Sequence, residues 1–349
     1  MTKIADETFR VIDISDFRIH DSKRYRMCGE ALHEKMQFTL NLACTATERQ
    51  ALLKLASCKD IEAVEELLGN LYATKTPSAS DRYLRTAINC FSNLWSVGDA
   101  HNANNECWWQ ANLYSQVFDR CFLRAKDYLT KRSEILSMTL KTAKLEGFKV
   151  PSHRVDFVVS CKDYDMDLLT SEDKPTSSSK VNKDTDKGLL IQQTTLGLWR
   201  KKIGAQRKEL LSELEAITCQ WIGNELVVRG TRLLGSTFVH YKKAVVRFPT
   251  TLRCASAALA LSVVMSLERT ITLNFRKMEL ILEEKASQQI SDLQLASDYD
   301  ATCAFFAADE EACLKEVRQL THPTDVLTGA KNWQQLKRLE QQERENLNE

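Results

Sequence analysis

Three residues carry the chemistry this chain offers most directly: Asp156 in RVDFVVS, and Glu172 and Lys174 in LLTSEDKP. Glu172 and Lys174 stand two apart, and in a β-strand residues i and i+2 face the same side. A carboxylate and an ammonium aimed together in this way suit the hydrolysis of a phosphodiester. At neutral pH that reaction needs a divalent ion to activate water and to absorb charge on the phosphate. Mg²⁺ (or Mn²⁺) takes oxygen ligands and few protein carboxylates, while a neighbouring lysine orients the attacking water. Asp156, on the preceding strand, is expected across from the pair in the sheet. The same residues also read as the solvated end of a strand. Asp173, between them, is expected where the strand frays into a loop, because a carboxylate on the apolar side is costly to bury. Pro175 cannot donate to a ladder and ends the strand at the lysine.

The elements that must position these residues follow from periodicity. TATE at 45–48 resembles a capping box opening a helix. A second helix starts near Ser80 or Asp81, and a third follows Glu106 with Trp109, Leu113, Val117 and Phe118 near one stripe. A helix is expected over about 131–146, stopped by Gly147. RVDFVVSC and DMDLLTSED read as a hairpin, with an exposed loop over 173–187. Leu189, Leu196, Ile203 and Leu210 recur every seven residues and predict a helix from Gly188 to about Leu214. The segment 216–248 is rich in Val, Thr and aromatics and predicts two or three strands. Helix returns after Pro249. Helices interspersed with strands predict an α+β (mixed α/β) fold, with a small central mixed sheet flanked by helices.

Asp156 in RVDFVVS, Glu172 and Lys174 in LLTSEDKP, and the polar stretch leading into a helix resemble the PD-(D/E)xK nuclease superfamily. The resemblance covers about residues 106–250. It implies a restriction-endonuclease-like core in which a helix, a small β-meander, a crossover helix and further strands follow in order. It also implies catalytic roles for Asp156, Glu172 and Lys174, with Mg²⁺ (or Mn²⁺) held by Asp156 and Glu172. Glu106, at the start of the helix before the strands, matches the place where many members supply a further acidic ligand. The overall layout is also similar to fungal proteins with this domain arrangement. The organisation expected is a helical region over 1–100, the nuclease-like core over 101–285 and a helical, partly solvated tail over 286–349.

A nucleic-acid partner would be met by local basic clusters, since the net charge is only +1. Arg200, Lys201 and Lys202 in WRKKIGAQRK, Lys242 and Lys243 in HYKKAVVRF, and Lys180, Lys183 and Lys187 before the helix are the candidates. Contacts of this kind are salt-sensitive and read no sequence. The alternatives are a catalytically decayed domain, or a non-catalytic helical interaction or nucleic-acid-binding scaffold.

Other chemistries find little support. KDYDMD alternates acids at 163, 165 and 167, but the sixth and twelfth loop positions are Leu168 and Lys174, which a calcium loop does not tolerate. There is no GxxxxGK[ST], GxGxxG or GxSxG. The 11 cysteines include no CxxC, and an odd, scattered set argues against a disulfide framework. With no apolar run of secretory type near Met1, the expected compartment is reducing, cytoplasm or nucleus. The uncharged stretch from Cys254 to Leu267 spans 14 residues; membrane crossing takes about 18 or more, so a core helix and no membrane contact are expected.

Overall fold

The computed structural model describes residues 2–4, 7–16, 23, 26–27, 29–31, 40, 42–98, 105–124, 128–161, 165–175, 180–295, 302–320, 326–328 and 334–346. Its centre is an eight-stranded mixed sheet. The strands are β1 (Thr2–Ile4), β2 (Glu7–Asp13), β4 (Tyr128–Leu136), β5 (Arg154–Cys161), β6 (Asp167–Lys174), β7 (Glu215–Ile222), β8 (Glu225–Leu234) and β9 (Thr237–Arg247). They lie in the order β1-β2-β9-β8-β7-β6-β5-β4. Strand β3 (Ala43–Thr45) pairs instead with β10 (Val326–Thr328) in a separate two-stranded ribbon. β4, β5 and β6 form an antiparallel meander. The chain then crosses over, and β7 runs parallel to β6. The class is α+β, as the element order predicts.

Helices α1 (Ala46–Ala56), α2 (Ile61–Tyr72) and α3 (Ala79–Val97) precede the meander. The capping box foreseen at Thr45 and Glu48 opens α1. Helix α4 follows. It begins as Glu106–Trp109, continues as a π-helical stretch Gln110–Asp119 and closes with Arg120–Phe122. The wider π-helical turn is uncommon and is found disproportionately at functional sites. Here it sets Tyr114 and Phe118 against the sheet. Tyr114 stacks on Trp221 of β7 at 4.3 Å, and Phe118 meets Phe157 of β5 at 5.4 Å. All four rings are buried, each burial stabilising the fold by about 2–3 kcal/mol.

Two stretches differ from the sequence expectation. Residues 131–146 are not one helix: β4 runs to Leu136, and a short helix α5 (Met138–Leu145) follows. Ser137 caps α5, and the buried Asp167 carboxylate accepts hydrogen bonds from Ser137 Oγ and the Thr139 N–H. That anchor fixes the strand-to-helix break. Ser133 and Glu134 take left-handed φ values of 77° and 50° and form a bulge between Arg132 and Ile135. The second difference is the exposed loop expected over 173–187. Asp173 is fully buried, and the crossover helix α6 (Lys180–Ile203) already includes residues 180–187. It stops at Gly204, whose φ of 115° a side chain would resist. A short helix α7 (Lys208–Ser212) leads into β7.

After β9 come α8 (Cys254–Leu295), α9 (Thr302–Gln319) and α10 (Gln334–Glu345). Within α8, Cys254–Ala286 is long and apolar enough to cross a membrane, and its apolar window is 78% buried inside the protein. α4 and α8 cover one face of the sheet and α6 covers the other. The larger hydrophobic core runs from Phe9 to Leu336, and Leu140, Val155, Val158 and Ile191 form a smaller one. Core residues of the flanking segments, Phe9 to Leu94 and Cys313 to Leu336, therefore pack with those of 101–285, and β2 extends the central sheet by pairing in parallel with β9.

Candidate active site

The site is organised by β6. Its side chains alternate between faces, so Glu172 and Lys174 point to α6 while Asp173 points to α4. The register that pairs Phe157 with Ser171 sets Asp156 of β5 opposite Glu172. The end of β6 is fixed by the turn between β7 and β8. Gly223 donates its N–H to the Lys174 carbonyl at 2.7 Å and holds φ at 57°. A Cβ there would stand 2.9 Å from the Pro175 carbonyl oxygen. Tyr114 Oη donates to the Gly223 carbonyl at 2.6 Å and ties this turn to α4.

Glu106 reaches the same place from the first turn of α4, where Asn105 is the N-cap. One turn on, Gln110 Nε2 donates to Glu106 Oε1 at 3.2 Å and to Asp173 Oδ2 at 3.1 Å. The Asp173 N–H donates to Asp156 Oδ2 at 2.8 Å. The four sequence-predicted residues Glu106, Asp156, Glu172 and Lys174 are thus brought together from three elements.

Their charges act on one another. Burial pushes the Glu172 carboxyl up to about 8 even though Lys187 pairs with it, and Asp156 and Asp184 add to the rise. Burial also raises Glu106; Asp156 adds to that rise, and Lys174 opposes it. For Lys174 burial works against the charge, but Asp184, Asp156 and Glu106 outweigh it and hold the ammonium above its ordinary value. Four carboxyl groups, Glu106, Asp156, Glu172 and Asp184, thus meet two lysines, Lys174 and Lys187.

Helix α6 supplies Asp184, which the sequence reading did not name, and Lys187, which it took as a nucleic-acid contact and not as a partner of Glu172. Lys187 Nζ lies 2.6 Å from Glu172 Oε1, and Asp184 Oδ2 lies 3.4 Å from Lys174 Nζ. Gly188 lets the helix come this close, since a Cβ there would be 3.2 Å from Thr218 Oγ1 of β7. Thr185 and Gln220 hold the same turn, with Thr185 Oγ1 donating to Gln220 Oε1 at 3.1 Å. The signal was the i, i+3 spacing of Asp184 and Lys187, in phase with Ile191 further along the helix.

Asp173 is not frayed. Arg132 of β4 pairs with it and also forks onto Asp119 of α4, with Nε to Oδ2 at 2.6 Å and Nη2 to Oδ1 at 2.7 Å. The guanidinium lies over the Phe157 ring at 5.0 Å and the Tyr114 ring at 5.8 Å. Burial raises the Asp173 carboxyl to about 6 against the pull of Arg132. A buried carboxylate on the apolar face is tolerated because its counter-charge is buried with it.

The basic clusters expected to meet nucleic acid do not gather on one surface at the site. Lys243 is buried and paired with Glu215 at 2.9 Å, which removes it from any nucleic-acid surface. Lys242 pairs with Asp16, and Lys201 pairs with Glu146 at 2.7 Å. Arg200 lies over the Phe9 ring at 5.5 Å. α6 returns the chain to the start of β7, so Arg200, Lys201 and Lys202 sit at the opposite end of the sheet from Lys174. The rise from Asp184 to Arg200 is about 24 Å. Trp199 Nε1, donating to Met166 Sδ at 3.2 Å just before β6, marks that end. Lys187 is at the site, Lys183 is exposed on the same helical turns, and the Lys180 side chain lies outside the described residues.

Other polar side chains on and near β5 and β6 have structural settings. Asp167 anchors α5, and Asp163 lies outside the described residues. His153 is half-buried and accepts the Ser137 N–H through its carbonyl. Cys161 is buried. Comparison with protein-family models, curated proteins and solved structures finds no match. The arrangement therefore stands on its own geometry.

Among the described residues, no three Asp, Glu, His or Cys side chains are gathered around one ion position. The site instead presents Asp156 and Glu172 side by side, with Glu106 and Asp184 close enough to shift their neighbours' titration. Mg²⁺ is commonly held by one or two carboxylates, the remaining positions going to water and substrate phosphate. An all-oxygen donor set of this kind fits that requirement.

Proposed function

We propose that this chain is a metal-dependent nuclease-like protein that hydrolyses phosphodiester bonds of nucleic acid. The observation that carries the reading is the convergence of Asp156, Glu172 and Lys174 on one sheet face, with Glu106 beside them. The order α4, β4-β5-β6 meander, crossover α6, parallel β7 supports it, because this is the layout that the resemblance to the PD-(D/E)xK superfamily implies. Asp156 and Glu172 would hold Mg²⁺ (or Mn²⁺), with Glu106 as a further oxygen donor. The bound ion would lower the pKa of water and draw charge from the scissile phosphate. Lys174 stands one side-chain position along from Glu172, where its ammonium orients the nucleophile and offsets phosphate charge. Asp184 and Asp156 keep that ammonium protonated, so it acts as a charge and hydrogen-bond donor and not as a base. Gln110 fixes the Glu106 carboxylate, and the Asp173 N–H fixes that of Asp156.

A second reading keeps the fold and nucleic-acid binding without cleavage. The ion pair of Lys187 with Glu172 favours it, since an ammonium already occupies the carboxylate. Incubation of the purified protein with labelled DNA and RNA in Mg²⁺ or Mn²⁺ separates the two. Cleavage lost in Glu172→Gln and Lys174→Met supports hydrolysis. Salt-sensitive binding with no cleavage in any of the three supports the decayed form, and neither activity supports a protein scaffold.

A further inference from the structure

The sequence of β6 presents Glu172 and Lys174 to α6, and α6 answers with the opposite pair, Asp184 and Lys187. Lys187 Nζ meets Glu172 Oε1 at 2.6 Å, and Asp184 Oδ2 meets Lys174 Nζ at 3.4 Å. Both lysine side chains are mostly shielded, 19% and 18% exposed, and Glu172 is 8% exposed at its side chain. The helix therefore carries a charge-reversed copy of the strand's own pair and lies face to face with it.

Geometry makes this arrangement exclusive. A carboxylate oxygen 2.6 Å from an ammonium cannot keep that contact and also ligate a divalent ion without bringing two cations within a few ångströms of each other. Two like charges at such spacing in a partly buried place repel strongly. Lys187 has four flexible methylenes and its exit lies along the exposed side of α6, where Lys183 is exposed. It can leave Glu172 without moving the backbone.

We propose that Lys187 is a displaceable cation of the site: it holds Glu172 Oε1 when no divalent ion is present, and it competes with that ion for the oxygen. The inference rests on the metal-dependent reading of the site given above. Lys187 thereby sets the divalent concentration at which the site loads. Asp184 has the matching duty of holding Lys174 in line with Glu172 while Lys187 is displaced. Lys187 is thus a tuning residue that acts through Glu172 and has no place in the hydrolytic step itself.

The test is a calorimetric titration of the purified full-length protein with Mn²⁺ at low ionic strength, using wild type, Lys187→Met, Lys187→Arg and Glu172→Gln, each checked for fold by circular dichroism. Removing one positive charge beside the ion position is expected to tighten Mn²⁺ binding about tenfold. Lys187→Arg should bind as wild type does, and Glu172→Gln should lose the site. If Glu172→Gln abolishes binding but Lys187→Met binds no more tightly than wild type, Lys187 is a structural partner only and the inference is overturned while the metal reading stands. If wild type and Lys187→Met both fail to bind Mn²⁺, the metal reading falls and the inference falls with it. Should Lys187→Met not fold, Lys187→Gln removes the same charge and keeps a polar end.

Discussion

Two buried glutamates of this protein behave in opposite ways. Glu48, at the start of α1, is 1% exposed and Glu172 is 6% exposed. Burial alone raises both. Yet Glu48 is held below the usual carboxylate range, because Arg269 and hydrogen bonds from Ser80 and the Thr45 N–H outweigh burial. Arg269 pairs with it at 2.6 Å and Arg124 at 3.2 Å, and Arg124 in turn reaches Glu268 at 2.8 Å. That network joins α1, α3, α4 and α8 with its charges matched. Glu172 has one lysine and two nearby carboxylates, and its pKa is pushed up to about 8. The difference lies in the donors supplied and not in depth. A saturated carboxylate reads as structure, and an under-supplied one in a cluster of like charges reads as a binding position.

Stability measurements by urea unfolding test this contrast. The largest loss is expected for Arg132→Met, which leaves Asp119 and Asp173 buried without their shared cation; about 4 kcal/mol is the scale for breaking a buried pair. Arg269→Met should cost about 3 kcal/mol, somewhat less because Arg124 still faces Glu48. Glu172→Gln should be neutral or stabilising. If Glu172→Gln and Arg269→Met destabilise to the same degree, the contrast between the two glutamates is wrong.

A pH series sharpens it. Burial lowers the His240 pKa to about 4, with Asp13 opposing. Its Nε2 faces the Gln193 amide nitrogen at 2.9 Å and its Nδ1 faces Thr231 Oγ1, so a second ring proton would meet a donor. An unfolded histidine titrates near 6.5. The folded state thus binds fewer protons than the unfolded one between those values. Stability is full above pH 6.5 and falls by about 2–3 kcal/mol as pH drops towards 4; His240→Gln should flatten that limb. Glu48 acts below it: its contribution is present above the ordinary carboxylate pKa and is lost as pH falls through the lower folded value. The smallest effect is expected for Lys201→Ala, whose pair with Glu146 is exposed and screened by solvent, with no resolvable change in unfolding. A larger loss there would mean that the far end of α6 has a role beyond a solvated face.

Much of the site was legible because strand geometry converts sequence spacing directly into shared faces. Asp156, Glu172 and Lys174 needed only the two-residue period and a hairpin register. Glu106 needed only a helix start. What was not legible depends on distant partners. Arg132 lies 41 residues from Asp173, in a stretch whose Lys, Glu and Leu content favours helix, and nothing local announces the bulge at Ser133 and Glu134. Lys180–Lys187 looked like a loop because Asn, Asp, Thr and Lys dominate it. Its helix is completed by docking on β7 through Gly188 and Thr185, which moves Lys187 from an expected nucleic-acid contact to the side of Glu172. The parallel pairing of β2 with β9 joins residues more than 200 positions apart in the chain, and no periodicity encodes that choice.

The most direct measurement is the divalent-dependent cleavage rate of labelled single- and double-stranded DNA and RNA, comparing wild type with Lys174→Met and with Lys201→Ala as a remote control. All three should share the same circular dichroism spectrum. Cleavage by wild type and Lys201→Ala that requires Mg²⁺ or Mn²⁺, and that disappears in Lys174→Met, is the expected result. Cleavage undiminished in Lys174→Met, or none by wild type across the divalent range, contradicts a hydrolytic site at the end of β6.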